Sequence, residues 1–509
     1  MFEAAEVGHK LSKAQFEKRV PELRMGLVQA QQDAAAAGRP IIILVAGVEG
    51  AGRSLLVNQL TGWLDARTVN TVSFWQLTDQ EAARPWAWRY WQQLPPGGRT
   101  GVLFGGWYTD PINGRGFEEL DEASFERRLH QIADFERTIS DGGAILVKLW
   151  LHLSADAQKR RHKESKKKNW TVSPMAKKYA KHYERMMAAT ERAIRITDTG
   201  ACPWHVVEST DPLYRDITAA ELILETTRRA LDHAAEKPSR PSGDPSAEAG
   251  HTILDTVDLS AKLTKKGYRS RLAAAQTRLQ ALGWELYQQR IATVCAFEGW
   301  DAGGKGGAIR RLISPIDARL YRVVRIAAPE GEAKLQHYLW RFWREIPADG
   351  MVRIFDRSWY GRVLVERVEG FATETEWRRS FGEINAFEDH LIDHGIVLCK
   401  FWLHISKEEQ LRRFEERQAT PWKQFKITDE DWRNREKWGA YEAAVNEMVD
   451  RTSTHDAPWT LVAGDDKRHA RVQVLETVIE RMEAALESRG KRKKDARSRK
   501  KAPGKKAGK

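Results

Sequence analysis

Two tandem α/β domains, each a parallel sheet with helices on both faces, are the fold this sequence predicts, and three observations predict it. Short apolar runs of strand length alternate with longer segments of helical pattern. The same order of features occurs twice, at an offset of 252 residues (299 less 47). Between the two occurrences, Ala234 to His251 holds Pro238, Pro241 and Pro245 among Ser, Gly and Glu, a composition that resists both helix and strand.

Length agrees, because 509 residues exceed what one ordinary core organises. The repeat is dense in matched residues. Val45 to Arg53 aligns with Phe297 to Lys305, Trp107-Tyr108 with Trp359-Tyr360, and the heptapeptide Lys148 to Ser154 with Lys400 to Ser406. Further on, Pro203-Trp204 aligns with Pro458-Trp459 at an offset of 255 (459 less 204), so the second copy carries a small insertion. The expected organisation is a first domain over 1–233, a linker over 234–251, a second domain over 252–490 and a basic tail over 491–509.

In the second copy the strands expected in order are Ile291 to Phe297, Arg322 to Ile326, Val352 to Asp356, Ile396 to His404 and Thr460 to Ala463. The expected helices are Gly306 to Ile313, Lys334 to Glu345, Glu376 to His394, Lys407 to Arg417, Asp429 to Asp450 and Ala470 to Leu486.

Composition excludes several classes. No apolar run approaches the roughly 18–20 residues that cross a bilayer, and the first residues lack the pattern of a secretory signal, so a cytoplasmic chain without membrane partners is expected. Cys202, Cys295 and Cys399 have no C-x-x-C spacing, and the histidines show no zinc-ligand spacing. Of the formal net charge of +13, the stretch Lys491 to Lys509 supplies +10, from eleven basic residues and one acidic, leaving +3 for the body. No nucleic-acid partner is expected. The tail reads as a disordered appendage that either aids solubility or tethers a polyanion. The tryptophans at helical spacing, Trp340 with Trp343 and Trp432 with Trp438, read as core or interface packing rather than as platforms for a nucleobase.

Chemistry concentrates in the second copy. Gly299 to Lys305 satisfies G-x-x-x-x-G-K between a predicted strand and a predicted helix. In that context Gly299, Gly303 and Gly304 let backbone N–H groups curl around phosphate oxygens, the helix start adds partial positive charge, and Lys305 supplies a cation. Gly306 and Gly307 follow where a Ser or Thr would ordinarily help hold Mg²⁺, so that role passes to an acid. Asp356, ending a hydrophobic strand, and Asp301, within the loop, are the two candidates. Two carboxylates beside phosphate oxygens require divalent cations between them. Arg357, Arg362 and Arg367 recur every five residues with Glu366 among them, either converging on phosphate or pairing with local acids. Arg413 and Arg417 form a further basic group.

The first copy keeps the frame and loses these groups. Arg53 stands for Lys305, Glu49 for Asp301, Phe104 for Asp356 and Gly105 for Arg357. Phenylalanine cannot hold a metal, so the first domain is expected to be an inactive support.

Glu298 to Gly307, Phe355 to Arg362 and Thr452 to Trp459 resemble the polyphosphate kinase 2 family, in its fused two-domain form, the polyphosphate:AMP phosphotransferases. The resemblance implies a thymidylate-kinase-like (P-loop kinase-like) fold with a helical lid, Mg²⁺, inorganic polyphosphate as donor and AMP as acceptor giving ADP, and a homo-oligomer. It implies that Asp301 and Asp356 hold the metal and that Lys305 meets the transferred phosphoryl group. It also implies that Arg357, Arg362 and Arg367 neutralise phosphates near the lid, that Glu366 belongs to the lid segment, and that Arg413 and Arg417 contact phosphate. A polyphosphate-dependent nucleoside diphosphate kinase, an ATP-dependent nucleoside monophosphate kinase and a non-catalytic polyanion-binding scaffold are the competing expectations.

Overall fold

The computed structural model describes residues 1–167, 175–235 and 252–501. Two compact units emerge. The first comprises Met1–Leu77, Arg89–Asp244 and Pro329–Trp340, and the second Thr78–Trp88, Pro245–Ala328 and Arg341–Lys509. Each unit therefore takes a short segment from the sequence half that builds the other. The linker expected over 234–251 lies, from residue 236 on, outside the described residues.

The first unit contains β1 (Ile41–Gly47), β2 (Val69–Ser73), β3 (Thr100–Phe104), β4 (Ile145–His152) and β5 (Trp204–Glu208), all parallel, in the order β2-β3-β1-β4-β5. The second contains β6 (Thr293–Gly299), β7 (Tyr321–Arg325), β8 (Val352–Asp356), β9 (Val397–His404) and β10 (Trp459–Ala463), in the equivalent order β10-β9-β6-β8-β7. β6 and β9 are buried on both faces, as parallel central strands must be, and this is why they read as mostly apolar runs without polar alternation. The core of the second unit packs Leu279, Leu282 and Leu286 of the helix Lys265–Gln289, and Val474, Leu475 and Val478 of the helix Lys467–Lys501, against these strands.

Helices depart from expectation in three places. The stretch Lys334 to Glu345 is not one helix but a 3-10 turn at Gly331–Lys334 and a single helical turn at Trp340–Trp343. The chain passes from one compact unit to the other after Trp340, and Trp340, Phe342 and Trp343 are each buried, so packing and not helical periodicity sets the backbone here. Asp429 to Asp450 is broken at Lys437 into Asp429–Glu436 and Trp438–Thr452. Lastly, the final helix runs on through Lys501, into the stretch read as a disordered tail. Lys491 to Lys501 holds no Pro or Gly, and Lys and Arg are good helix formers; Pro503 and Gly504 lie outside the described residues.

A polar core device is written into both units. In the second, Lys400 Nζ lies 2.7 Å from Glu388 Oε2 and donates to the Thr452 carbonyl at 2.6 Å, while Trp359 Nε1 and Tyr360 Oη donate to Glu388 Oε1 at 3.0 and 2.6 Å. In the first, Lys148, Glu136, Thr197, Trp107 and Tyr108 repeat the arrangement at 2.7–2.8 Å. Burial alone pushes the Glu388 carboxyl up and the Lys400 ammonium down, and each partner opposes the shift of the other. The Trp-Tyr pair and the heptapeptide lysine that mark the duplication are thus fold-keeping residues, not chemical ones.

Candidate active site

The loop after β6 and the loop after β8 meet at the C-terminal ends of neighbouring strands, where a parallel sheet gathers its ligand-binding groups. Register places Asp356 directly beside Phe297 on one side and Arg325 on the other. Gly299 cannot be replaced by a larger residue, since a Cβ there would lie 2.6 Å from the Leu403 carbonyl oxygen of β9. Gly304, at φ 109°, caps the helix Lys305–Ile313 in the left-handed region that glycine adopts without penalty.

Two other residues occupy that region without being glycine: Ala302, at φ 60°, and Arg357, at φ 65°. Their counterparts in the first copy, Gly50 and Gly105, are glycines, each at φ 88°. The backbone bend is common to both copies, and only the second places side chains on it.

Lys305 Nζ donates to the Gly299 carbonyl at 2.5 Å and reaches the Trp300 carbonyl at 3.4 Å. Arg357 Nη2 stands 3.6 Å from Asp301 Oδ1, while Asp301 Oδ2 accepts from Asn434 Nδ2 at 2.9 Å. Burial works against the Arg357 charge, but Asp301 and Glu298 outweigh it and hold the guanidinium above its ordinary value. Glu298, buried beneath the loop, accepts from the Ser358 backbone N–H at 2.7 Å and from its hydroxyl at 2.8 Å, tying the β6 loop to the β8 loop. Burial pushes the Glu298 carboxyl up, and Lys305, Ser358 and Arg357 pull it back.

These groups open onto a cleft of about 1020 Å³ in the second unit. Its lining includes ten basic side chains against four acidic ones, an excess suited to a polyanion. Asp301, Lys305, Asp356, Arg357 and Arg417 line it, as do Gly303, Gly304, Gly306 and Gly307. So do Arg310, Arg311, Arg325, Lys423, Lys467 and Arg471, which sequence reading had not selected. The first two carry a signal in hindsight, because they fall on the helix the loop begins. Lys467 and Arg471 arrive from the last helix, and Arg471 packs its guanidinium 3.5 Å from where a Cβ on Gly307 would sit.

Arg362, Glu366 and Arg367 lie outside that lining. Arg362 Nε is 3.1 Å from Glu366 Oε2, Arg341 Nη2 is 3.7 Å from Glu366 Oε1, and Arg367 pairs with Glu447 at 2.7 Å while its guanidinium covers the Trp377 ring. Pairing with a local acid, one of the two readings above, describes Arg362, whereas the acid that takes Arg367 comes from 80 residues further along the chain. Arg413 does line the cleft, but it is buried and its guanidinium donates to the carbonyls of Ala302, Gly303, Gly464 and Asp465 and to Glu409. Those bonds occupy all the donors of the fork, so Arg413 clamps the loop from behind instead of presenting N–H groups to phosphate. Trp300 and Trp438 stack on each other, ring centres 3.7 Å apart and 8° from parallel.

In the first unit the corresponding loop is engaged by that unit's own side chains. Arg53 pairs with Glu49 at 2.7 Å and lies over the Phe104 ring, and the Arg215 guanidinium sits against Gly52 so closely that a Cβ there would be 1.9 Å from it. A cavity of about 40 Å³ opens beside Glu49 and Arg53.

No group of three or more His, Cys, Asp or Glu side chains with metal-binding geometry occurs among the described residues, and no helix among them is long and apolar enough to cross a membrane.

The sequence profile of polyphosphate kinase 2 matches residues 10–235 and again 262–490. Over 491 residues the chain is 46% identical to a polyphosphate:AMP phosphotransferase of Pseudomonas aeruginosa, covering 95% of this chain and 99% of that one. A polyphosphate:AMP phosphotransferase of Pseudomonas syringae pv. tomato is 45% identical over 499 residues, 97% of this chain and 100% of its own length. A crystal structure described as a polyphosphate kinase 2 of Pseudomonas aeruginosa PA01 superposes with a TM-score of 0.87 at 45% identity, covering 96% of this chain and 99% of the other. With both repeats matched and the full length shared, the chain belongs to the polyphosphate kinase 2 family.

Proposed function

We propose that this chain transfers the terminal phosphoryl group of inorganic polyphosphate to AMP, giving ADP and a polyphosphate shorter by one unit, in a reaction that is reversible in principle. The observation that carries the reading is the strongly basic cleft, ten cations to four acids, opening at a phosphate loop in a chain similar along its whole length to enzymes of that name. An α-phosphate oxygen of AMP attacks the terminal phosphorus, and the anhydride bond to the penultimate phosphate breaks. Such a transfer asks the protein for alignment and charge neutralisation rather than covalent chemistry.

Lys305 and the loop N–H groups receive the transferred group, and Arg357 offsets charge as it passes. Arg417, Lys423, Lys467 and Arg471, spread along the cleft, carry the rest of the donor chain. Asp301 and Asp356 are the residues that would hold Mg²⁺, a donor set that fits an ion content with one or two carboxylates plus substrate phosphates and water. When bound, Mg²⁺ supplies further neutralisation of phosphate charge. The roles implied for Arg362, Glu366 and Arg367 beside phosphate require their present ion pairs to open. The first unit serves as support.

A matrix of donors and acceptors tests the reading. ADP is expected from polyphosphate and AMP with Mg²⁺, and not after chelation by EDTA. Faster turnover with ATP than with polyphosphate would replace the proposal by an ATP-dependent monophosphate kinase, and preference for ADP over AMP would replace it by a diphosphate kinase. Turnover that survives Lys305→Ala would leave the basic cleft as a polyanion scaffold.

A further inference from the structure

Asp301 has to present its carboxylate to a cation while sitting on a loop whose next residue is held in the left-handed region. Its Oδ2 is taken by Asn434 Nδ2 at 2.9 Å. The amide of Asn434 is oriented from the other side, because its Oδ1 lies 3.3 Å from the hydroxyl of Tyr441. That hydroxyl also lies 3.5 Å from Glu369 Oε1, and Glu369 in turn takes Lys437 at 2.9 Å and Arg433 at 3.5 Å. A polar chain thus runs from Glu369 through Tyr441 and Asn434 to the loop acid. It crosses the break at Lys437, with Asn434 and Tyr441 seven residues apart and so on one side of the two successive helices.

The first copy supplies an internal comparison. The helices Tyr183–Thr197 and Trp438–Thr452 begin 255 residues apart and both span fifteen residues, which pairs Asn434 with Tyr179, Tyr441 with Met186 and Lys437 with His182. Phe117 stands for Glu369 at the offset of 252. In place of the polar chain the first copy has an aromatic cluster, with Phe117 5.4 Å from Tyr179 and 5.8 Å from His182, and Glu49 turns to Arg53 instead. The copy without the loop lysine and the strand-end acid also lacks every member of the chain that orients the loop acid.

We propose that Asn434 is a positioning residue for Asp301: its amide, fixed by Tyr441, holds the carboxylate in the orientation in which Asp301 takes up the divalent cation. The proposal rests on the reading of Asp301 as a metal-holding residue. Groups that orient a metal-holding side chain change metal affinity by about 10-fold to 100-fold when removed.

The test is a titration of the full-length protein with Mn²⁺ alone, followed by the electron paramagnetic resonance of the free ion, beside kinetics with polyphosphate and AMP. Asn434→Ala is expected to bind Mn²⁺ about 10-fold more weakly and to lower kcat with KM for AMP unchanged, and Tyr441→Phe to weaken Mn²⁺ about 3-fold. In an Asp301→Asn background, adding Asn434→Ala is expected to change nothing further, since the two act as one unit. Should Asn434→Ala fail to fold, Tyr441→Phe carries the comparison. Mn²⁺ affinity equal to wild type in both variants, or an equal loss in the Asp301→Asn background, overturns the proposal. A wild type that binds Mn²⁺ but makes no ADP sinks the proposed reaction instead, and the titration still reads the role of Asn434.

Discussion

Replacing Arg357 by glycine and, separately, by alanine isolates the strain stored at the site. Arg357 sits at φ 65°, and its counterpart in the first copy, Gly105, adopts φ 88° without a side chain. Holding a residue with a Cβ in the left-handed region costs about 1–2 kcal/mol, and glycine gives back about 0.5–1 kcal/mol through the extra freedom of its unfolded chain. Both variants lose the same half-exposed pair with Asp301, so that contribution cancels between them. Arg357→Gly should therefore be more stable than Arg357→Ala by about 0.5–1 kcal/mol, the reverse of the order expected at an ordinary loop position. For a unit of this size that is a difference in melting temperature of about 1–4 °C. Both should turn over at least about 100-fold more slowly than wild type, since each lacks the cation beside the transferred phosphoryl group. Differential scanning calorimetry on the full chain, read at the transition of the second unit, decides it. An alanine variant melting at or above the glycine variant would refute the claim that the backbone at Arg357 is strained.

Three further outcomes follow from the same geometry. Arg413→Ala should lower stability by about 1–3 kcal/mol by stranding the carbonyls it holds, whereas Arg417→Ala should leave melting unchanged and raise KM for polyphosphate in a salt-dependent way; melting curves and kinetics at two ionic strengths separate them. Lys400→Met should cost about 3–5 kcal/mol by leaving Glu388 charged in the core, and adding Glu388→Gln should recover much of it, as read by urea unfolding. Arg53→Lys in a Lys305→Ala chain should yield no ADP, because Phe104 occupies the strand-end position and Arg215 fills the space against Gly52; recovery of turnover would show that the lysine alone had been missing.

Much of the fold was legible because parallel central strands, buried on both faces, leave mostly apolar runs such as Val397–His404, broken only by Lys400 and His404. The order of strands within each sheet was not legible, because it depends on contacts between segments far apart in sequence. Helices were misread where tertiary packing overrode periodicity: Trp340, Phe342 and Trp343 are all buried although Arg341 and Arg344 adjoin them, and the break at Lys437 recurs at the equivalent His182 of the first copy. At the site, Asp301, Lys305 and Asp356 were readable because loop and strand end declare themselves locally. Lys467 and Arg471 were not, since a helix beginning more than 160 residues after the loop brings them there. Asn434 carried no signal at all, lying in a stretch dominated by charge. Of the evenly spaced arginines, Arg357 lines the cleft while Arg362 and Arg367 lie outside its lining and pair with Glu366 and Glu447, a choice that spacing alone left open.

The buried lysine–glutamate pair of each unit bears on how a duplicated chain drifts. Lys148 and Lys400, with Glu136 and Glu388, are almost completely sealed from water. Losing either charge alone strands the other in the core at a cost comparable to much of a domain's stability, while losing both together is mild. A route that requires two simultaneous changes is rarely taken by mutations arriving singly. The two halves have been free to diverge at the loop lysine and the strand-end acid, where a substitution removes chemistry and leaves the fold standing. They stay alike at positions where a single step would remove much of the stability, and the ancestry of the chain is preserved in its interior by residues that take no part in its reaction.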